Sequence, residues 1–263
     1  MIKEKKVIGV IDADNNNIYV LNELSNTFKN TEILYFNTNS KEKYEGLDEE
    51  ALINDVKSSI DFLLGQHIDI LVVASDTIIE YCMPQIEELK IPYVLITEET
   101  INYINENYEY KNLGFMACTS VIEANLYQKN FRYNHLYNMT SDTITDTIKK
   151  FKPKTSESFQ ETRMVVGPVS KKGLDIIIPS SINYLMLKTE IFEFLKEVDI
   201  LPIDTVICNK VNTLLYNNLL PIKGKTNVTI LEKEEKNKEE FSKYLKIDYR
   251  VVNIYNPKSK IFK

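Results

Sequence analysis

Apolar positions along the chain follow two alternating rhythms: short unbroken runs, and longer stretches in which they recur every three or four residues. Lys6-Val7-Ile8-Gly9-Val10-Ile11-Asp12 is of the first kind and ends on an acid. That is the form of a buried parallel strand whose C-terminal end opens into a site. Ile18, Leu21, Leu24 and Phe28 follow at helical spacing, and Ile33-Leu34-Tyr35-Phe36 reads as the next strand, completing one β-α-β unit. Leu52, Val56, Ile60, Leu63 and Leu64 form a second helical stripe. A strand is expected over 68–74, a helix over 78–89, a strand over 91–96, a short helix around Ile101, a strand over 113–117 and an amphipathic helix over 121–131.

The pattern weakens between 134 and 163 into a polar run rich in Thr, Ser and Lys, including Lys152-Pro153-Lys154, which reads as a loop or a crossover between lobes. Order resumes with Met164-Val165-Val166 and a run over 174–179. A helix over 184–197, a strand over 205–208, a helix over 213–220, a strand over 228–231, a helix over 236–245 and a last strand over 250–255 are expected after it. Strand alternating with helix at this rhythm predicts an α/β fold of two similar lobes, each a mostly parallel sheet flanked by helices. The coarse division is 1–130 and 160–263 with 131–160 connecting them; in an alternative, residues from about 205 onward return to the lobe formed by 1–100.

The chain has 263 residues, 43% of them hydrophobic, enough for a substantial core. Its 32 basic and 38 acidic residues are spread along the whole length and give a net charge of −6, which provides no electrostatic reason to expect nucleic acid as a partner. Cys82, Cys118 and Cys208 are odd in number and widely spaced, suiting reduced thiols rather than a disulfide framework or a zinc site. The apolar run after Lys6 is too short for a membrane span, so a cytoplasmic, unprocessed protein is expected. Only 7 glycines occur, and none forms a dinucleotide or P-loop cradle. The charged run at 232–240 suits a solvated helix face.

Several segments resemble the glutamate racemase family, within the aspartate/glutamate racemase superfamily. Ile8-Gly9-Val10-Ile11-Asp12-Ala13-Asp14 is similar to the family's I-G-V-F-D-S-G. Tyr35-Phe36 with Lys43-Tyr44-Glu45 stands at the place of its P-Y-G, and Val72-Val73-Ala74-Ser75-Asp76-Thr77 at that of V-V-A-C-N-T. The strand Leu113-Gly114-Phe115-Met116-Ala117 also fits. In the second half Val166-Gly167-Pro168-Val169-Ser170 is similar to a degraded V-P-L-V-E, and Asp204-Thr205-Val206-Ile207-Cys208-Asn209-Lys210 is placed at L-G-C-T-H-Y-P.

The resemblance implies two α/β lobes facing each other across a cleft, with one cysteine from each removing and returning the α-proton of an amino acid and no cofactor taking part. It also implies a small amino acid or carboxylate as ligand and a possible homodimer. Ser75 occupies the first cysteine position, and Cys208 or Asn209 the second, according to register. Asp12 keeps the assisting acid, while Ala13, Tyr44, Asp76, Thr77 and Lys210 fall at substrate-binding positions. Serine is far less acidic than cysteine, and Asp14 adds negative charge where an anionic substrate would approach. The expectation is therefore a glutamate racemase-like protein without the two-thiol pair. The alternative is a cofactor-independent amino-acid racemase or epimerase with a modified site, supplying D-glutamate for peptidoglycan.

Bland roles stand beside these. Asp12 or Asp14 suits a cap for a helix starting near Asn17. Cys82 suits the core, and Cys118 suits either the core or the edge of a site. His67 and His135 read as surface or loop residues.

Overall fold

The computed structural model of the protein describes residues 5–38, 48–150, 153–221, 223–234 and 238–255, and among them every strand pairing is parallel. The elements run β1 (Lys6–Asp12), α1 (Val20–Thr27), β2 (Thr31–Asn37), α2 (Glu49–Gly65), β3 (Ile70–Val73), α3 (Asp76–Glu87), β4 (Tyr93–Leu95) and α4 (Ile96–Asn107). Then come β5 (Lys111–Ala117), α5 (Thr119–Ala124), β6 (Tyr133–Thr140), α6 (Asp142–Lys150), α7 (Ser156–Val166), β7 (Ile176–Pro179), α8 (Lys188–Phe194) and β8 (Asp199–Ile200). Last are α9 (Ile203–Tyr216), β9 (Asn227–Glu232) and β10 (Arg250–Asn253).

The chain divides into two units, one of residues 1–96 and 207–263, the other of 97–206. The first holds a six-stranded sheet in the order β10-β9-β2-β1-β3-β4. β1 lies inside it, paired with β2 from Lys6↔Thr31 to Asp12↔Asn37 and with β3 from Ile8↔Ile70 to Ile11↔Val73. Strands covered on both faces must be apolar throughout, and Ile8, Val10, Ile11, Ile33, Leu34, Ile70, Leu71, Val72 and Val73 are fully buried. Each such side chain contributes about 1.5–3 kcal/mol through its removal from water. α2 is started by Asp48, whose carboxylate accepts from the Ala51 N–H at 2.8 Å. The second unit holds the four-stranded sheet β6-β5-β7-β8, whose core includes Phe115 between Tyr127 and Phe131.

Several elements differ from expectation. The polar stretch read as a connection contains β6, α6 and α7; β6 is an edge strand whose exposed Tyr133, Asn134 and His135 give no apolar signal. The strand expected over 205–208 lies inside α9, because Ile203, Ile207 and Val211 repeat every four residues on one fully buried face. The helix expected over 184–197 begins as a 3₁₀ segment, Ile182–Leu187, before α8. Within the one expected over 236–245 the described helical piece is the 3₁₀ turn Lys238–Phe241. β8 was not anticipated; two residues are too few to leave a pattern. Among the described residues no helix is long and apolar enough to cross a membrane.

Candidate functional site

The C-terminal end of β1 gathers the polar side chains of the first unit. Asp12 ends the strand fully buried, and its main-chain carbonyl accepts from the Thr38 N–H at 2.9 Å. Its carboxylate Oδ1 accepts from the Ala13 N–H at 2.8 Å and from Asn17 Nδ2 at 3.5 Å; Oδ2 accepts from the Asn17 N–H at 2.7 Å and the Tyr35 hydroxyl at 2.5 Å. These bonds fold residues 13–19 into successive turns and delay α1 to Val20. Asp14 and Asn15 both take left-handed backbone, φ 60° and 57°, a conformation that Asp and Asn tolerate better than most residues.

Burial pushes the Asp12 carboxyl up to about 7, against the opposing pull of the Tyr35 hydrogen bond and the Asn17 and Ala13 amides. Tyr35 is itself held well above the ordinary phenol range by burial, and next by the negative charges of Asp12 and Glu232. Glu232 ends β9 as Asp12 ends β1, and it is also buried. Asn37 Nδ2 donates to its Oε2 at 3.1 Å and Asn15 Nδ2 to its Oε1 at 3.3 Å.

Asn17 links this cluster to β3, donating from Nδ2 to the Ala74 carbonyl at 2.5 Å. Ser75 comes next. The chain leaves the sheet there in extended backbone, and the hydroxyl oxygen accepts from the Ile78 N–H at 3.4 Å as the N-cap of α3. It is 5% exposed. Asp76 and Thr77 form the half-buried first turn of α3. Replacing Ser75 by Ala is expected to lower stability by about 1 kcal/mol through loss of this cap, read from the shift in urea midpoint at constant slope.

Asp12, Ala13, Ser75, Asp76 and Thr77 thus lie at neighbouring strand ends of one unit. Tyr44 lies outside the described residues. Cys208 is in the body of α9 and 2% exposed, with Asn209 exposed and Lys210 half-buried beside it; none of the three stands at a strand end. The expectations did not include Asn17, Tyr35, Asn37 and Glu232 as site residues. Their signal was present: Tyr35 and Asn37 alternate to the same side of β2, and Val228-Thr229-Ile230-Leu231-Glu232 repeats the apolar run closed by an acid.

In the second unit, β5 runs out into Cys118, whose Sγ lies 3.3 Å from Thr145 Oγ1 and 3.5 Å from the Tyr184 hydroxyl. Ser141 Oγ donates to that hydroxyl at 2.8 Å, and burial raises the Tyr184 phenol. Both histidines are exposed; His135 Nδ1 sits 3.1 Å from Asn112 Oδ1. Among the described residues no group of three or more His, Cys, Asp or Glu is placed to hold a metal ion.

A glutamate racemase of Hydrogenobaculum sp. (strain Y04AAS1) is 21% identical over 219 residues, covering 80% of this chain and 83% of that protein. A glutamate racemase isoform from Bacillus anthracis superimposes with a TM-score of 0.82 at 18% identity, over 96% of this chain and 98% of its own. The chain is thus similar, at low identity, to glutamate racemases in both sequence and fold. No family model matches it. A second structure, the glutamate racemase of Francisella tularensis in complex with D-glutamate, superimposes with a TM-score of 0.78 at 15% identity, over 94% and 96% of the two chains. The paired parallel sheets with helices around them are thus the racemase fold.

Proposed function

We propose that the chain is a racemase-fold protein that binds a small amino acid or carboxylate and does not racemise glutamate at an enzyme's rate. The observation that carries this reading is the hydroxyl of Ser75 where the family's first thiol is expected, at a strand end and engaged as a helix cap. Abstraction of an α-proton demands a base of tuned strength, which a thiolate supplies and a serine hydroxyl near neutral pH does not. Cys208 is enclosed in α9, and in this reading it takes no part in proton transfer. The loop after β1 points the same way: Asp14 replaces a small residue and adds negative charge beside the buried Asp12, disfavouring a dicarboxylate.

The test is incubation of the protein with L-glutamate in D2O, followed by proton NMR of the α-position and separate calorimetric titrations with amino acids and carboxylates. No wash-in and measurable binding heat for at least one compound are expected. Exchange at about 1–10³ s⁻¹ would reject the reading.

A second reading is favoured by Asp12. A carboxyl raised to about 7 matches what a general base needs near neutrality, and Asn17 ties it to the main chain at Ala74. Here the protein is a cofactor-independent racemase or epimerase with a modified site, and D-glutamate supply for peptidoglycan is its role. Asp12→Asn would then abolish a wash-in that the parent shows.

A further inference from the structure

Asp12 is an acid buried without a base. It has no exposed surface, and among the described residues no cation is paired with it. Tyr35 faces it from β2, and Glu232 at the end of β9 and Tyr244 act in turn on Tyr35. Asp14 stands in the turn that follows β1, and Asp76 opens α3 beyond the neighbouring β3. Each of these groups is neutral or negative, so none offsets the removal of a carboxylate from water.

What encloses the group is a short turn. The Ala13 N–H lies on one carboxylate oxygen at 2.8 Å and the Asn17 N–H on the other at 2.7 Å. Both residues are buried, whereas Asp14, Asn15 and Asn16 between them are half-buried. The main-chain bonds within the turn are long: 3.4 Å from the Asn16 N–H to the Ala13 carbonyl and 3.5 Å from the Ile18 N–H to that of Asn15. Asp14 and Asn15 stand consecutively in left-handed backbone, which costs free energy even for the residue types that tolerate it best. Ile18 is fully buried and anchors the far end, so displacement is confined to residues 13–17.

We infer that residues 13–17 form a gate over Asp12 which opens when the carboxyl loses its proton. A neutral carboxyl is cheap to enclose; a carboxylate is not, and swinging the turn aside gives it water. Proton affinity sets the direction. Under the closed turn the carboxyl keeps its proton up to about 7, and hydrated beside the open turn it returns toward 3.8. The closed form therefore binds more protons, and rising pH favours the open form until the closed one has itself ionised near 7. Opening uncovers the C-terminal end of β1.

Hydrogen exchange at the Asn17 amide, corrected for the intrinsic rate at each pH, reads the population of the open gate. That population should rise about 50-fold from pH 5 to 7 and only about twofold more by pH 8. Asp12→Asn should abolish the dependence, and its persistence in the variant overturns the gate. Tyr35→Phe removes a bond that lowers the Asp12 carboxyl, so the levelling-off should move to higher pH; a levelling-off that stays in place also counts against the gate.

Urea well below the unfolding midpoint separates local opening from unfolding of the whole molecule. It should speed exchange of the Val10 amide at the centre of β1 and leave that of Asn17 unchanged. Equal acceleration of both amides would assign the proton linkage to global unfolding and overturn the gate.

Discussion

Asp12→Asn is expected to gain stability relative to the parent as pH rises from 4 to 8, by an amount approaching about 4 kcal/mol. The carboxyl is raised from 3.8 to about 7 in the folded protein. Below pH 3.8 both folded and unfolded chains carry the proton and the group costs nothing. As pH climbs toward 7 the unfolded chain releases its proton while the folded chain retains it, so the parent loses stability over that window; above 7 the loss is complete. Asparagine has no proton to release, and the loss of one of the two oxygens that accept from the Ala13 and Asn17 amides is a cost independent of pH. Urea unfolding of both proteins across the range gives the difference directly, and a flat difference would show that burial does not hold Asp12 protonated. Tyr35, the Asn17 side chain and the Ala13 and Asn17 amides face this group, and all of them remain in the variant.

Phe115→Ala is expected to cost about 3–5 kcal/mol, enough to remove much of a domain's stability. Phe115 is fully buried in β5, with ring centroids 5.0 Å from Tyr127 and 6.0 Å from Phe131, so truncation leaves a cavity among aromatic walls that collapse poorly. Phe115→Leu keeps most of the volume and should cost about 1.5 kcal/mol or less. Chemical denaturation resolves the two; equal costs would mean that the aromatic cluster is not the determinant.

The strands of the first unit were legible because burial on both faces leaves unbroken apolar runs at the centres of β1, β2 and β3. Asp12 was legible for a related reason, since an acid closing such a run needs a polar strand end to be tolerated. β6 was illegible: an edge strand buries little, and Met139 is its one buried side chain. Residues 205–208 misled because Val206 and Ile207 carry strand propensity, while the determining fact, one buried stripe of Ile203, Ile207 and Val211, required the helix around them. Asn17 and Glu232 were missed because their roles arise from contacts across the fold: Glu232 meets Asn37 from 195 residues away.

That separation bears on how the molecule is made. β2 pairs with β9 from Glu32↔Asn227 to Phe36↔Leu231, so the first sheet stays incomplete until the ribosome has delivered the C-terminal strands, whereas every strand of the second sheet lies between residues 111 and 200. Loop closure over such a distance is slow, and the unpaired flank of β2 stands open meanwhile as a template for other chains. During synthesis the later-encoded sheet can close first, and the nascent N-terminal strands are the stretch most in need of a chaperone.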